Sequence, residues 1–114
     1  MGEMRDAIQD VKRAMGKLSQ EVPDEIQGFS QFMDAVFQPD ALDVKTKELI
    51  ALATALTARC KYCIGMHTQS ALKAGATEKE LWEAATVAIL MGGGPALTHV
   101  AELSKAIEEF KPKA

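Results

Sequence analysis

Two cysteines three residues apart, Cys60 and Cys63, with His67 four residues further on, are the side chains here whose types and spacing point to chemistry. They stand in ARCKYCIGMHTQSALKAG, residues 58–75, which holds both cysteines of the chain and one of its two histidines. Three uses fit such a set. A thiol pair at C-x-x-C spacing can cycle between dithiol and disulfide. Two thiolates and an imidazole can ligate zinc; a structural site needs a fourth ligand that the local sequence does not offer, while a catalytic site needs only three. Cysteine is also a small apolar residue that packs into cores. The loop a Cys60–Cys63 bridge would close is too short to staple a fold, so a structural disulfide is the poorest reading.

If the segment is helical, spacings of three and four put Cys60, Cys63 and His67 on one face. A thiol near a helix N-terminus meets unpaired amides and the positive end of the dipole, which favour the thiolate. His67, one turn on, can take a proton from Cys63 directly or through a water. Cys60, in the first turn, can then close a disulfide with Cys63. On this reading Cys63 attacks and Cys60 resolves.

The elements that must position these residues are helices, because no alternating strand pattern with hairpin turns is present. Met4, Ile8, Val11, Met15 and Leu18 form a stripe on a first helix within residues 1–20, which could pack on its own core or on another subunit. A second helix starts near Pro23, with Ile26, Phe29, Met33 and Phe37 inward, and stops at Gln38-Pro39. Asp43 caps a third helix running to about Ala58, apolar nearly all round and so the most central. A fourth begins near Cys60 and ends at Gly75. Thr77-Glu78-Lys79-Glu80 is a capping box opening a fifth, with Leu81, Ala85, Ala88 and Ile89 inward. Gly92-Gly93-Gly94-Pro95 breaks it and starts a sixth, carrying Leu97, Val100, Leu103 or Ser104, and Ile107. The glycine run has no G-K-[ST] ending and no preceding strand, so it is a breaker rather than a phosphate loop. The expectation is one all-α domain over residues 1–114, a bundle of about six antiparallel helices.

That layout supplies a fourth site member. Glu48 lies about 11 residues before the turn near Arg59, roughly 16 Å along the third helix, and His67 about eight residues after it, roughly 12 Å along the fourth. In an antiparallel pair they reach similar depth. A carboxylate flanked by Leu49, Ile50, Leu52 and Ala53 needs a partner. A Glu48–His67 contact would orient the imidazole and raise its basicity.

Glu48, Cys60-Lys61-Tyr62-Cys63 and His67 together read E-x11-C-x-x-C-x3-H. This resembles the AhpD-like branch of the carboxymuconolactone decarboxylase family. The flanks Ala55-Leu56-x-x-Arg59-Cys60 and Ala71-x-x-Ala74-Gly75-Ala76-Thr77-x-x-Glu80 resemble it as well, over roughly residues 25–110. Tyr62 stands where the mycobacterial pattern has a histidine. The resemblance implies an all-helical fold that trimerises or hexamerises and alkylhydroperoxidase or disulfide-reductase chemistry. It also implies catalytic roles for Cys60, Cys63, His67 and Glu48, with no cofactor and no metal. The substrate would be a hydroperoxide or a partner disulfide, and the reductant a lipoyl- or thioredoxin-like dithiol. Two other functions stay open: the lactone-decarboxylase chemistry of the namesake branch, which does not rely on a C-x-x-C pair, and a non-enzymatic redox-sensing assembly module.

The composition agrees with a packed helical domain. Hydrophobic residues are 47% and aromatics 5%, the apolar content lying mainly in helix-forming Ala, Leu and Met with Ile and Val. With a net charge of −3 and interspersed signs there is no basic block for nucleic acid. Leu49–Ala58, the longest apolar run, is about half a membrane span. The N-terminal segment is charged throughout and has no apolar signal core, so a cytoplasmic location is expected. His99 is expected to be structural or interfacial, Trp82 and the methionines to fill core gaps or an interface, and Tyr62 to line the pocket mouth or simply pack.

Overall fold

The computed structural model describes residues 2–113. It is all-helical: α1 (Glu3–Glu21), α2 (Pro23–Val36), α3 (Val44–Ala58), α4 (Lys61–Lys73), α5 (Glu78–Gly92), α6 (Gly94–Thr98) and α7 (Val100–Phe110). Only His99 separates α6 from α7, so the expected sixth helix is present as two segments. The stop signals act where their chemistry requires. Asp43 accepts the Thr46 N–H at 2.8 Å and caps α3. Thr77 and Glu80 exchange both bonds of the capping box on α5. Gly75 (φ +98°) and Gly93 (φ +71°) take backbone conformations that disfavour side chains.

The core lies where α3 packs against α4 and α5, with α7 on the other side of α4. Leu52, Leu56, Ile64, Leu81 and Leu103 are fully buried, each contributing about 1.5–3 kcal/mol. Met4 and Ile8 bring the first half of α1 into this core. The start of α1 is clasped by Glu109, whose carboxylate accepts the Met4 and Arg5 amides at 3.1 and 2.8 Å. The Arg5 guanidinium in turn lies over the Phe110 ring, 5.0 Å from its centroid. Among the described residues no helix is long and apolar enough to cross a membrane.

Helix α2 departs from expectation. Its stripe was to face inward, but no residue of α2 is buried, and Phe29 and Phe32 are 55% and 67% exposed. The pattern makes one apolar face, as it should. Most of that face stays open, because α2 packs mainly on α1. Helix α3 departs more mildly. Glu48, Leu52, Ala55 and Leu56 are buried, but Ile50 and Thr57 are exposed, as are Val87, Leu90 and Met91 of α5. Leu97, expected inside, is also exposed, and Met33 and Met91 do not fill core gaps.

Candidate active site

Arg59 sets the site's entrance. Its backbone is left-handed (φ 58°, ψ 45°), a conformation that non-glycine residues adopt at a cost of about 1–2 kcal/mol. That kink closes α3 with the Arg59 N–H on Leu56 O and the Cys60 N–H on Ala55 O, the paired bonds of a left-handed helix stop. It turns the chain so that α4 starts at once and returns beside α3. Cys60 is the N-cap of α4, just outside the helix rather than in its first turn. Its Sγ accepts the Cys63 N–H at 3.3 Å. Cysteine thus occupies the place usually held by a serine or aspartate cap, with its sulfur at the amide end of the helix dipole.

Cys63 lies one turn in, and the two Sγ atoms are 2.6 Å apart as free thiols. The helix N-terminus does not act alone on Cys63. Burial, and then the neighbouring Cys60 sulfur, push the Cys63 thiol up to about 11. Its own amide opposes this but is outweighed, because desolvation penalises the charged sulfur more than that amide stabilises it.

Across the helix pair, His67 Nδ1 meets Glu48 Oε1 at 2.7 Å. Glu48 is only 7% exposed, so this contact answers the need of a buried carboxylate for a partner. A carboxylate only accepts, which places the imidazole proton on Nδ1 and leaves Nε2 as the free base. The Phe37 ring, just past the end of α2, stacks on the imidazole with centroids 5.8 Å apart and planes 24° from parallel.

Cys60, Cys63 and His67 share one open depression of about 290 Å³, walled by Ala51, Thr54, Ala55 and Ala58 of α3. Glu48 stands behind His67 and does not line it. No charged group lines it other than those able to ionise at the site itself. Among the described residues no hydrogen bond joins the imidazole to either thiol, so proton transfer between them crosses the depression. Nor do three or more His, Cys, Asp and Glu side chains gather as a metal-ligand set among those residues. Tyr62 faces elsewhere, beside Glu3, Asp6, Asp10 and Lys61.

The four residues singled out from sequence are therefore brought together: Cys60 with Cys63, and Glu48 with His67 at the far wall. Sequence reasoning missed Phe37 as a site residue, reading it only as core. It also left His99 without a partner, whereas His99 Nδ1 meets Glu102 Oε1 at 2.6 Å, an i,i+3 pair visible in the sequence.

The fold and site define a helical protein with a vicinal thiol pair and a carboxylate-held histidine on adjacent antiparallel helices. The chain belongs to the carboxymuconolactone decarboxylase family, whose description matches residues 23–106. It is 41% identical to a carboxymuconolactone decarboxylase family protein of Legionella pneumophila in its apo crystal structure, covering 96% of this chain and 98% of that one with a TM-score of 0.92. A Thermotoga maritima family protein, suggested to take part in an antioxidative response, is 29% identical with a TM-score of 0.81, covering 90% of this chain and 87% of that one. An uncharacterised protein of Cupriavidus necator is 34% identical over 95% of this chain and 93% of its own length.

Proposed function

We propose that the protein is a thiol-dependent oxidoreductase that reduces hydroperoxides or partner disulfides through a Cys60–Cys63 dithiol/disulfide cycle. The observation carrying this reading is the free thiol pair at 2.6 Å, opening onto the same depression as a histidine held by a buried carboxylate. The amide contact at the helix N-terminus favours the reverse of the cysteine roles expected from sequence. Cys60 Sγ accepts the Cys63 amide N–H at the helix N-terminus, whereas burial works against ionising Cys63. On this reading Cys60 attacks and Cys63 resolves.

The cycle balances without a cofactor. His67 Nε2 takes the Cys60 proton while Glu48 holds Nδ1. The thiolate attacks the peroxide, the O–O bond breaks, and His67 returns the proton to the departing alkoxide. This leaves an alcohol and a Cys60 sulfenic acid. The Cys63 sulfur then displaces water, forming the disulfide. For a disulfide substrate the first product is a mixed disulfide that Cys63 resolves. A dithiol reductant, of the lipoyl or thioredoxin-like kind, restores the pair.

Lactone decarboxylation fits less well, because a carboxylated substrate would enter a depression whose walls offer alanines and Thr54 and no fixed cation. Self-association belongs to the same proposal. The exposed stripe Phe29, Phe32, Met33 and Val36, and the patch Val87, Leu90 and Met91, leave apolar surface for a second copy. The test of the cycle is mass spectrometry of the reduced protein after stoichiometric hydroperoxide. Loss of two thiols with no added oxygen supports it. In Cys63→Ser a single sulfenic acid should accumulate on residue 60, and in Cys60→Ser peroxide should persist. Wild-type peroxide consumption in Cys60→Ser would reject the assignment.

A further inference from the structure

The imidazole of His67 is held in two ways, and only one is the Glu48 hydrogen bond. Its edge meets Glu48 Oε1 at 2.7 Å; its face meets the Phe37 ring at 5.8 Å between centroids. Phe37 needs anchoring, because it follows a helix with no buried residue and precedes a stretch, residues 38–43, that is not helical. The anchor is Lys47. Its Nζ donates to Val36 O at 2.8 Å and to Gln38 O at 2.5 Å, the carbonyls of the two residues that flank Phe37. The ammonium thus satisfies carbonyls left open at the α2 C-terminus and complements the negative end of that helix dipole. Lys47 and Glu48 are consecutive on α3. One helical turn therefore fixes the imidazole twice, directly at its edge and through Lys47 and Phe37 at its face.

We propose that Phe37 is a positioning residue of the thiol site and that Lys47 holds it in place. The hydrogen bond alone leaves the imidazole free to tilt about the Nδ1···Oε1 axis. The stacked ring removes that freedom, so that Nε2 keeps its aim across the depression toward the cysteines. A base that must serve first Cys60 and then the departing alkoxide loses rate when its aim is lost, while an open apolar depression still admits substrate. The ring also gives an imidazolium a π face when His67 carries the second proton. Phe37 does not line the depression that holds the thiols, so its effect runs through His67.

This inference rests on the thiol-cycle reading, and the experiment separates the two. In NMR spectra the His67 Nδ1 proton is followed by its exchange with water, a readout that needs no turnover. Phe37→Leu, which keeps an apolar side chain but removes the ring face, should speed that exchange about tenfold. Phe37→Tyr should restore it to within about twofold. In hydroperoxide assays with dithiothreitol as reductant, Phe37→Leu should lower kcat about tenfold with KM within about twofold. Lys47→Met should follow in the same direction, and Gln31→Ala, at an exposed position of α2, should leave both readouts unchanged. Unaltered Nδ1–H exchange in Phe37→Leu, or equal impairment of Phe37→Leu and Phe37→Tyr, overturns the positioning role. A wild-type protein without thiol turnover, but with exchange that responds to Phe37 as described, rejects the thiol cycle and leaves the positioning role standing.

Discussion

The Glu48–His67 contact is where the fold and the chemistry meet, and a double-mutant cycle on it has a predictable asymmetry. His67→Ala strands a carboxylate that is 7% exposed. Breaking a fully buried ion pair that way costs about 3–5 kcal/mol. The His67 side chain is 23% exposed, so water can reach the vacated space, and about 2–3 kcal/mol is expected instead. The lost stack on Phe37 contributes up to about 1 kcal/mol of that cost. Glu48→Ala strands an imidazole nitrogen that water can more readily satisfy, and about 1–2 kcal/mol is expected. The double variant loses the contact once rather than twice, giving a coupling of about 1–2 kcal/mol. The assay is urea unfolding at neutral pH and fixed protomer concentration, since self-association would otherwise enter the measured stability. Glu48→Gln, which can still offer an amide oxygen to Nδ1, should keep most of the stability. It should nonetheless lose about 10²-fold or more in turnover, because the charge behind the base is gone. Two outcomes would refute the reasoning: additivity of the two alanine variants within about 0.5 kcal/mol, or full turnover in Glu48→Gln.

Other consequences follow from single features. Alkylation of Cys63 should be slow at neutral pH and rise steeply only as pH approaches about 11; rapid labelling at neutral pH contradicts the burial argument. Because this thiol ionises later folded than unfolded, its contribution to stability is present below about pH 9 and is lost as pH climbs toward about 11, which alkaline unfolding curves of wild type and Cys63→Ala should separate. Arg59→Gly should leave stability unchanged or raise it by at most about 1 kcal/mol, whereas Arg59→Val should cost about 1–2 kcal/mol, because a β-branched residue is worse in the left-handed conformation; the reverse order in thermal melts would be inconsistent with that backbone. Sedimentation should show an oligomer that Phe29→Asp with Phe32→Asp weakens; a stable wild-type monomer at micromolar concentration defeats the self-association proposal.

Much of this site is legible in the sequence because helical geometry is local. Three- and four-residue spacings place Cys60, Cys63 and His67 on a common side, and an antiparallel return brings Glu48 level with His67 without further information. The caps are local too: Asp43 and the Thr77–Glu80 box bond within a single turn, and Gly75 and Gly93 sit where side chains are disfavoured. An amphipathic stripe likewise announces that a face will be apolar. It does not say what covers that face, and α2 shows the difference: its stripe is real, but Phe29 and Met33 stay exposed while Phe37, at the end of the stripe, meets His67.

Other properties depend on distances that no spacing rule contains. Whether the helix dipole or burial governs the Cys63 thiol is a competition between two effects, and only packing sets the size of the second. Cys60 as the N-cap, rather than a first-turn residue, follows from the left-handed turn at Arg59, which a non-glycine residue gives little reason to expect. Phe37 reaches His67 across 30 residues because α2 ends where α3 and α4 meet, and Lys47 holds it there through carbonyls that any sequence would possess. Periodicity along the chain thus determined which residues could act together. Desolvation and the contacts between helices decided how burial acts on the Cys63 thiol and what holds the imidazole, because both depend on what lies within a few ångströms in space rather than on order in the chain.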